Sequence, residues 1–160
     1  MTHAFPEPTA DPAAALVRSV RRIAQAIDVR SREISRLTGL TLPQLLVLQS
    51  IRAMGEVSTS AISRDVSMSA PTVVAVLDKL EAKAMVVRYR STVDRRVVHA
   101  RLTDAGRQAL ADSPGLLAQS FMADFALLGQ EDRIAMATAV DRLATMMASG
   151  AAAVDAEGRS

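Results

Sequence analysis

Residues 58–102 read STSAISRDVSMSAPTVVAVLDKLEAKAMVVRYRSTVDRRVVHARL, and the succession of residue types in this stretch decides the fold. Ser58 has the chemistry of a helix N-cap, and Ala61, Ile62 and Val66 follow it in a short helix. Ser67-Met68-Ser69 is a tight connector. Ser69 caps a second helix, in which Val73, Leu77 and Leu80 recur at steps of 4 and 3 and face inward. Two short helices joined by three residues form the helix-turn-helix pattern. Beyond it, Val86-Val87-Arg88-Tyr89-Arg90 and Val97-Val98-His99-Ala100-Arg101-Leu102 are rich in β-branched residues, and the polar run from Ser91 to Arg96 separates them. That pattern is a β-hairpin. It carries five arginines, at 88, 90, 95, 96 and 101, against one acid, Asp94. A helix-turn-helix followed by such a hairpin is a winged helix.

The flanks read as helices. Asp11-Pro12 is an N-cap followed by proline at the first helical position. Leu16, Val20, Ile23, Ile27, Ile34 and Leu37 then make one apolar stripe on a long helix that Gly39 ends. Thr41 and Gln44 form a capping box, and the helix it opens runs to about Met54, with Leu45, Leu46, Leu48 and Ile51 marking it as mostly buried. Thr103-Asp104 starts a fifth helix, which Ser113-Pro114-Gly115 interrupts and Leu117, Phe121, Phe125 and Leu128 continue to Gly129. Ile134, Val140, Leu143 and Met147 belong to a sixth. The expected organisation is a disordered tail over 1–10, an N-terminal dimerisation helix over 11–39, a winged-helix DNA-binding lobe over 40–102, C-terminal dimerisation helices over 103–148 and a disordered tail over 149–160. The fold class is mainly α with a small β-hairpin wing. Apolar stripes outside the lobe have nothing else in the chain to cover them, so a homodimer is expected.

The 160 residues correspond to about one domain on a prior of ~150 residues each. Aromatics are few (Phe5, Tyr89, Phe121 and Phe125), so the core must be aliphatic. There is no cysteine, which excludes disulfides, thiolate nucleophiles and Cys-ligated zinc. No stretch approaches the ~20 apolar residues of a membrane span. Residues 1–11 carry no Lys or Arg, unlike a signal peptide, and a cytoplasmic protein is expected. There is no Gly-rich phosphate loop and no nucleophile with a neighbouring base, so neither an enzyme nor a cofactor is expected. His99 has no second ligand beside it, and no metal site is read. The formal charge of +2 hides an uneven distribution: +8 over residues 15–107, −2 before them and −4 after. The basic charge is nearly all arginine, whose planar fork binds phosphate and enters narrow minor grooves. The central block therefore suggests a polyanionic partner.

From Leu40 to Leu110 the chain resembles the MarR family of bacterial transcription regulators. The resemblance lies in Leu42-Pro43-Gln44, Ser69-Ala70-Pro71-Thr72-Val73, Leu77-Asp78-Lys79-Leu80-Glu81, the wing's Asp94-Arg95-Arg96 and Leu102-Thr103-Asp104-Ala105-Gly106. It implies a homodimeric winged-helix regulator, usually a repressor, that binds a palindrome and releases it when a small molecule binds. It also implies that Arg96 enters the minor groove and that Asp94 steadies the wing. Ala84 stands where the family usually has glycine, Ser67 where the turn is often glycine, and Pro114 breaks a helix that is usually continuous. A left-handed Ala84 would imply a looser corner between helix and wing.

The recognition helix should present Ser69, Ala70, Pro71, Thr72 and Ala75 to the major groove. These small side chains suit thymine methyls better than guanine edges, because none can make the bidentate arginine–guanine pair. With Arg95 and Arg96 at the wing tip, an A/T-rich inverted repeat is the expected double-stranded DNA target. Lys79, Arg88 and Arg90 are assigned to the same interface, chiefly as phosphate contacts. The effector's pocket residues are not readable. The resemblance implies a crevice lined by helices 1, 2 and 5 and makes an organic acid the expected ligand, to which helix-1 arginines would offer charge. The alternative reading is an effector-independent winged-helix module that shapes DNA or docks proteins.

Overall fold

The structure, a computed structural model, describes residues 11–157, with side chains described through Ser149. Residues through Leu116 form one compact unit and those from Leu117 a second. The tail read over residues 1–10 lies outside the described residues, as do 158–160.

Helix α1 spans Pro12–Thr38. The Asp11 carboxylate accepts the Ala13 and Ala14 amides at 2.9 and 3.2 Å, and Gly39, at φ 67°, closes the other end by donating to Ser35 O. Helix α2, Leu42–Met54, opens on the expected capping box: Thr41 Oγ1 accepts the Gln44 amide, and Gln44 Oε1 accepts the Thr41 amide at 3.0 Å. Helix α3, Thr59–Asp65, is capped by Ser58, and helix α4, Ala70–Ala82, by Ser69. The turn between them holds Ser67 at φ 52° and is tied by Ser63 Oγ donating to Met68 O at 2.5 Å.

The hairpin consists of β2, Val86–Arg90, and β3, Val98–Leu102, paired antiparallel from Val86 opposite Leu102 to Arg90 opposite Val98. A third strand was not expected. β1, Val57–Ser58, pairs with the other edge of β3, placing Val57 opposite Ala100, so the sheet order is β1-β3-β2. Two residues carry no period for a sequence pattern to reveal. Burial of Val57, at 5% exposure and opposite a fully buried Ala100, nonetheless stabilises the pairing.

Helix α2 sits centrally in the first unit and packs on α3, α4, β3 and helix α5, Asp104–Ala111. The core is aliphatic apart from the buried Gln44 and Ser50 of α2: Ile34, Leu48, Ile51, Ile62, Leu77 and Leu80 are essentially inaccessible. Val76 joins the inward side of α4 beside the expected Val73, Leu77 and Leu80.

In the C-terminal half the interrupted fifth helix is two helices. α5 ends at Ala111, and helix α6 spans Gln119–Leu127 with seven non-helical residues between them. Pro114 lacks an amide hydrogen and clashes with the preceding turn, which accounts for the gap. Helix α7 runs Gln130–Glu157, past the limit of 148 expected from composition. Ala151, Ala152 and Ala153 are strong helix formers, and no proline follows Pro114 to stop the run.

Candidate nucleic-acid interface

Inward anchoring of α4 through Val73, Val76, Leu77 and Leu80 leaves its opposite face to solvent. Ala70, Pro71, Thr72, Ala75 and Lys79 are exposed there, and so is the N-cap Ser69. Val74, 42% exposed, belongs to the same face and was missed. Helical spacing already implied it, since Val74 lies four residues after Ala70 and so on the same side of the helix. The Ser69 hydroxyl accepts the Thr72 amide at 3.3 Å and lies 2.7 Å from Thr72 Oγ1. The face is therefore short, neutral and preset, apart from Lys79 at its far end.

The wing tip is a hydrogen-bonded loop. Ser91 N–H donates to Val97 O, and Val97 N–H returns to Asp94 O, both at 2.9 Å. Ser91 Oγ accepts the amides of Val93 and Asp94, each at 3.2 Å. The Asp94 carboxylate accepts the Arg96 amide at 3.0 Å, so it holds the backbone that carries Arg96. Arg90 Nη1 donates to Arg95 O at 3.0 Å from the base of the loop. Arg95 and Arg96 are both exposed, and neither joins an ion pair among the described residues. Val93, at the same tip, is 96% exposed.

Arg88 has different surroundings from the other wing arginines. Its guanidinium lies against Asp78 and Glu81 of α4, at 2.6 Å from each. Hydrogen bonding to Arg88 holds the Glu81 carboxyl below its ordinary range, and the same bond raises Arg88. Sequence reading placed Arg88 with the phosphate contacts because residues 78, 81 and 88 meet only across the helix-to-strand corner.

That corner holds Ala84 at φ 56°, the left-handed conformation considered from sequence. It is closed rather than loose. Met85 N–H donates to Leu80 O at 2.9 Å, Thr103 Oγ1 to Ala84 O at 2.7 Å and Thr103 N–H to Met85 O at 3.1 Å. Lys83 braces it from behind, its Nζ donating to Gly39 O at 2.8 Å and to Gln44 Oε1 at 3.4 Å. On β2 and β3, Tyr89 meets the His99 ring edge-on at 5.6 Å and donates its hydroxyl to Glu56 at 2.5 Å, which raises the phenol's pKa. Among the described residues no cluster of His, Asp and Glu is arranged to hold a metal, and no helix is long and apolar enough to cross a membrane.

The MarR family model matches residues 40–98, which span α2 to the start of β3. Among curated proteins, the chain is 30% identical over 116 residues to the HTH-type transcriptional repressor MdtR of Bacillus subtilis, covering 69% of this chain and 75% of that protein. Among solved structures, the PcaV transcriptional regulator of Streptomyces coelicolor, in complex with its natural ligand, aligns with a TM-score of 0.68 at 22% identity, over 86% of this chain and 97% of that one. A mutant MarR from E. coli, complexed with operator DNA, aligns with a TM-score of 0.62 at 20% identity, over 84% of this chain and 99% of that one. The helix-turn-helix, the arginine-tipped wing and the match to a curated repressor over three quarters of its length agree: the chain belongs to the MarR family of winged helix-turn-helix transcriptional regulators.

Proposed function

We propose that the protein is a homodimeric repressor that reads an A/T-rich inverted repeat and releases it when an organic acid binds. The carrying observation is the pairing of two surfaces. One is the α4 face built from Ser69, Ala70, Pro71, Thr72 and Ala75; the other is a braced tip presenting Arg95 and Arg96 without ion partners among the described residues. Small apolar and hydroxyl side chains suit thymine methyls, and a narrow A-tract minor groove attracts guanidinium. Lys79 and Arg90 supply phosphate contacts beside them, and Asp94 keeps the tip in shape. Dimerisation is supported by Leu16, Ile23 and Leu37 on α1, each about half exposed, and by Phe121, Ile134, Val140 and Met147 in the second unit, all exposed. Two-fold symmetry sets the half-sites about one helical turn apart, ~10 bp centre to centre.

Release by an acid is supported by α1, where Arg18, Arg21, Arg22 and Arg36 make no ion pair among the described residues. Guanidinium forks match carboxylates bidentately. The test is selection from a random duplex library, followed by titration of the enriched site with small aromatic and aliphatic acids. An A/T-rich palindrome whose complex dissociates with one acid class supports the reading. A motif of invariant G·C pairs or one without inverted symmetry overturns the DNA target. Selective binding that no acid disturbs favours the effector-independent module.

A further inference from the structure

We propose that Arg88, Asp78 and Glu81 form a positioning clamp that fixes the wing's angle to the recognition helix and so sets operator specificity, with Arg88 making no contribution as a DNA contact. The inference rests on the DNA-reading function proposed above. Asp78 and Glu81 lie one turn apart on α4, and Arg88 is the third residue of β2. Arg88 Nη2 lies 2.6 Å from Asp78 Oδ1 and 2.6 Å from Glu81 Oε2, and Nε donates to the same Glu81 oxygen at 3.0 Å. The Arg88 amide donates to the other oxygen, Oε1, at 3.3 Å. One carboxylate therefore grips both the backbone and the side chain of the strand. The arginine side chain is 25% exposed, the most enclosed of the three.

Two features make this joint decisive. The corner itself, with Ala84 at φ 56°, is closed by the Thr103 and Met85 bonds, and the clamp adds a second tie farther out, between the outer side of α4 and the third residue of β2, where it resists rotation of the strand about that corner. The lever beyond the joint is also long. β2 ends at Arg90 and the tip loop lies beyond it; the five residues from Arg88 to Val93 span at most ~16 Å, so a turn of about 10° would displace the tip by up to ~3 Å. That is enough to move Arg95 and Arg96 off a groove already engaged by α4. The clamp's own charge argues against a phosphate-binding role, since two carboxylates beside one guanidinium leave the cluster net negative.

That sign supplies the test. Affinities for the selected operator and for a random duplex are measured across a salt series for the wild type, Glu81→Gln, Arg88→Met and Arg88→Lys, with melting temperatures alongside. Glu81→Gln removes a negative charge, yet operator binding should weaken while random-duplex binding holds or tightens. The specificity ratio should fall on the order of tenfold, the effect of misreading about one base pair. Arg88→Met should lower the ratio similarly with the operator salt slope unchanged, and Arg88→Lys should restore part of it. If Glu81→Gln leaves the operator affinity unchanged or tighter, the clamp has no positioning role. If Arg88→Met weakens both duplexes alike and lowers the salt slope by about one, Arg88 is a phosphate contact and the proposal is wrong. A wild type that does not prefer the operator over the random duplex overturns the DNA-reading function itself, and the clamp with it.

Discussion

Replacing Gly106 with alanine should destabilise the protein, against the ordinary preference of helices. Gly106 lies in the first turn of α5 and is buried against the corner that joins α4 to β2. A Cβ built there would fall 2.1 Å from Met85 O and 3.0 Å from Met85 C. Those are backbone atoms, so no side chain can swing away. Met85 O also accepts the Thr103 amide, and Thr103 Oγ1 both caps α5 through the Gly106 amide and donates to Ala84 O. Retreat of α5 would stretch either the bonds from Thr103 to the corner or the cap from Thr103 to the helix. Overpacking of this kind costs ~1–3 kcal/mol, and a lost internal hydrogen bond adds ~1 kcal/mol. The intrinsic gain of alanine over glycine in a helix returns up to ~1 kcal/mol. The balance is a loss of about 2 kcal/mol, or roughly 4–8 °C in melting temperature for a chain of this size. Thermal unfolding followed by circular dichroism at fixed protein concentration reads it. An unchanged or raised melting temperature would show that α5 does not press on the corner as described.

The reverse substitution at the neighbouring position should help: Ala84→Gly relieves a positive φ and should stabilise by about 1 kcal/mol, visible in the same melt. Arg96→Ala should weaken operator binding by ~1–3 kcal/mol with the melting temperature nearly unchanged, because the side chain is exposed and makes no ion pair among the described residues; equal affinity by fluorescence anisotropy would remove the wing from the interface. Light scattering should give about twice the 17.0 kDa chain mass at micromolar concentration, and a monomer mass would contradict the dimer. Hydrogen bonding to Arg88 holds the Glu81 carboxyl below its ordinary range, so the clamp's contribution to stability is present above the unfolded-state pKa and is lost as pH falls through the lower folded-state pKa; Glu81→Gln should therefore flatten the acid limb of a pH–stability curve, and an unaltered limb would argue against the pairing.

Much of the fold was legible because its signals are local. Asp11, Thr41, Ser58, Ser69 and Thr103 each announce a helix by side-chain chemistry that acts within three residues, and each caps the helix expected of it. The hairpin was readable from β-branched residues on either side of a polar run. What escaped is non-local or too short to have a period. β1 exists because Val57 and Ser58 find β3 more than forty residues away. The extension of α7 beyond 148 opposes a reading that took small residues as a sign of disorder. The candidate interface divides in the same way. Exposure of Ser69, Ala70, Pro71, Thr72 and Ala75 follows from the inward spacing of Val73, Leu77 and Leu80, whereas the distinct place of Arg88 depends on how far the chain turns after Ala84.

That division bears on how an interface of small side chains can be selective. Long arginines on a recognition helix can adjust to a base edge from several backbone positions, but alanine, serine and threonine cannot reach. Methyl contacts are lost over a fraction of an ångström, so the proposed reading by small side chains requires an accurately held α4 backbone. The structure surrounds α4 with fixed points at both ends. Ser69 caps its start, and the turn before it is tied through Ser63 to Met68. Lys83 bolts its end to Gly39 O and Gln44, hence to the close of α1 and the capping box of α2. Arg88 ties its outer side to the wing through Asp78 and Glu81. A shift at the end of α1 would reach the recognition helix through Lys83 alone among the polar contacts described. Lys83→Met, which keeps the length of the chain and removes the donors, should therefore loosen discrimination between operators whose half-site spacing differs by one base pair. Lys83→Arg should keep it. Identical spacing preferences in the wild type and Lys83→Met would mean that α1 and α4 are held together by Ile34 and Leu40 packing alone.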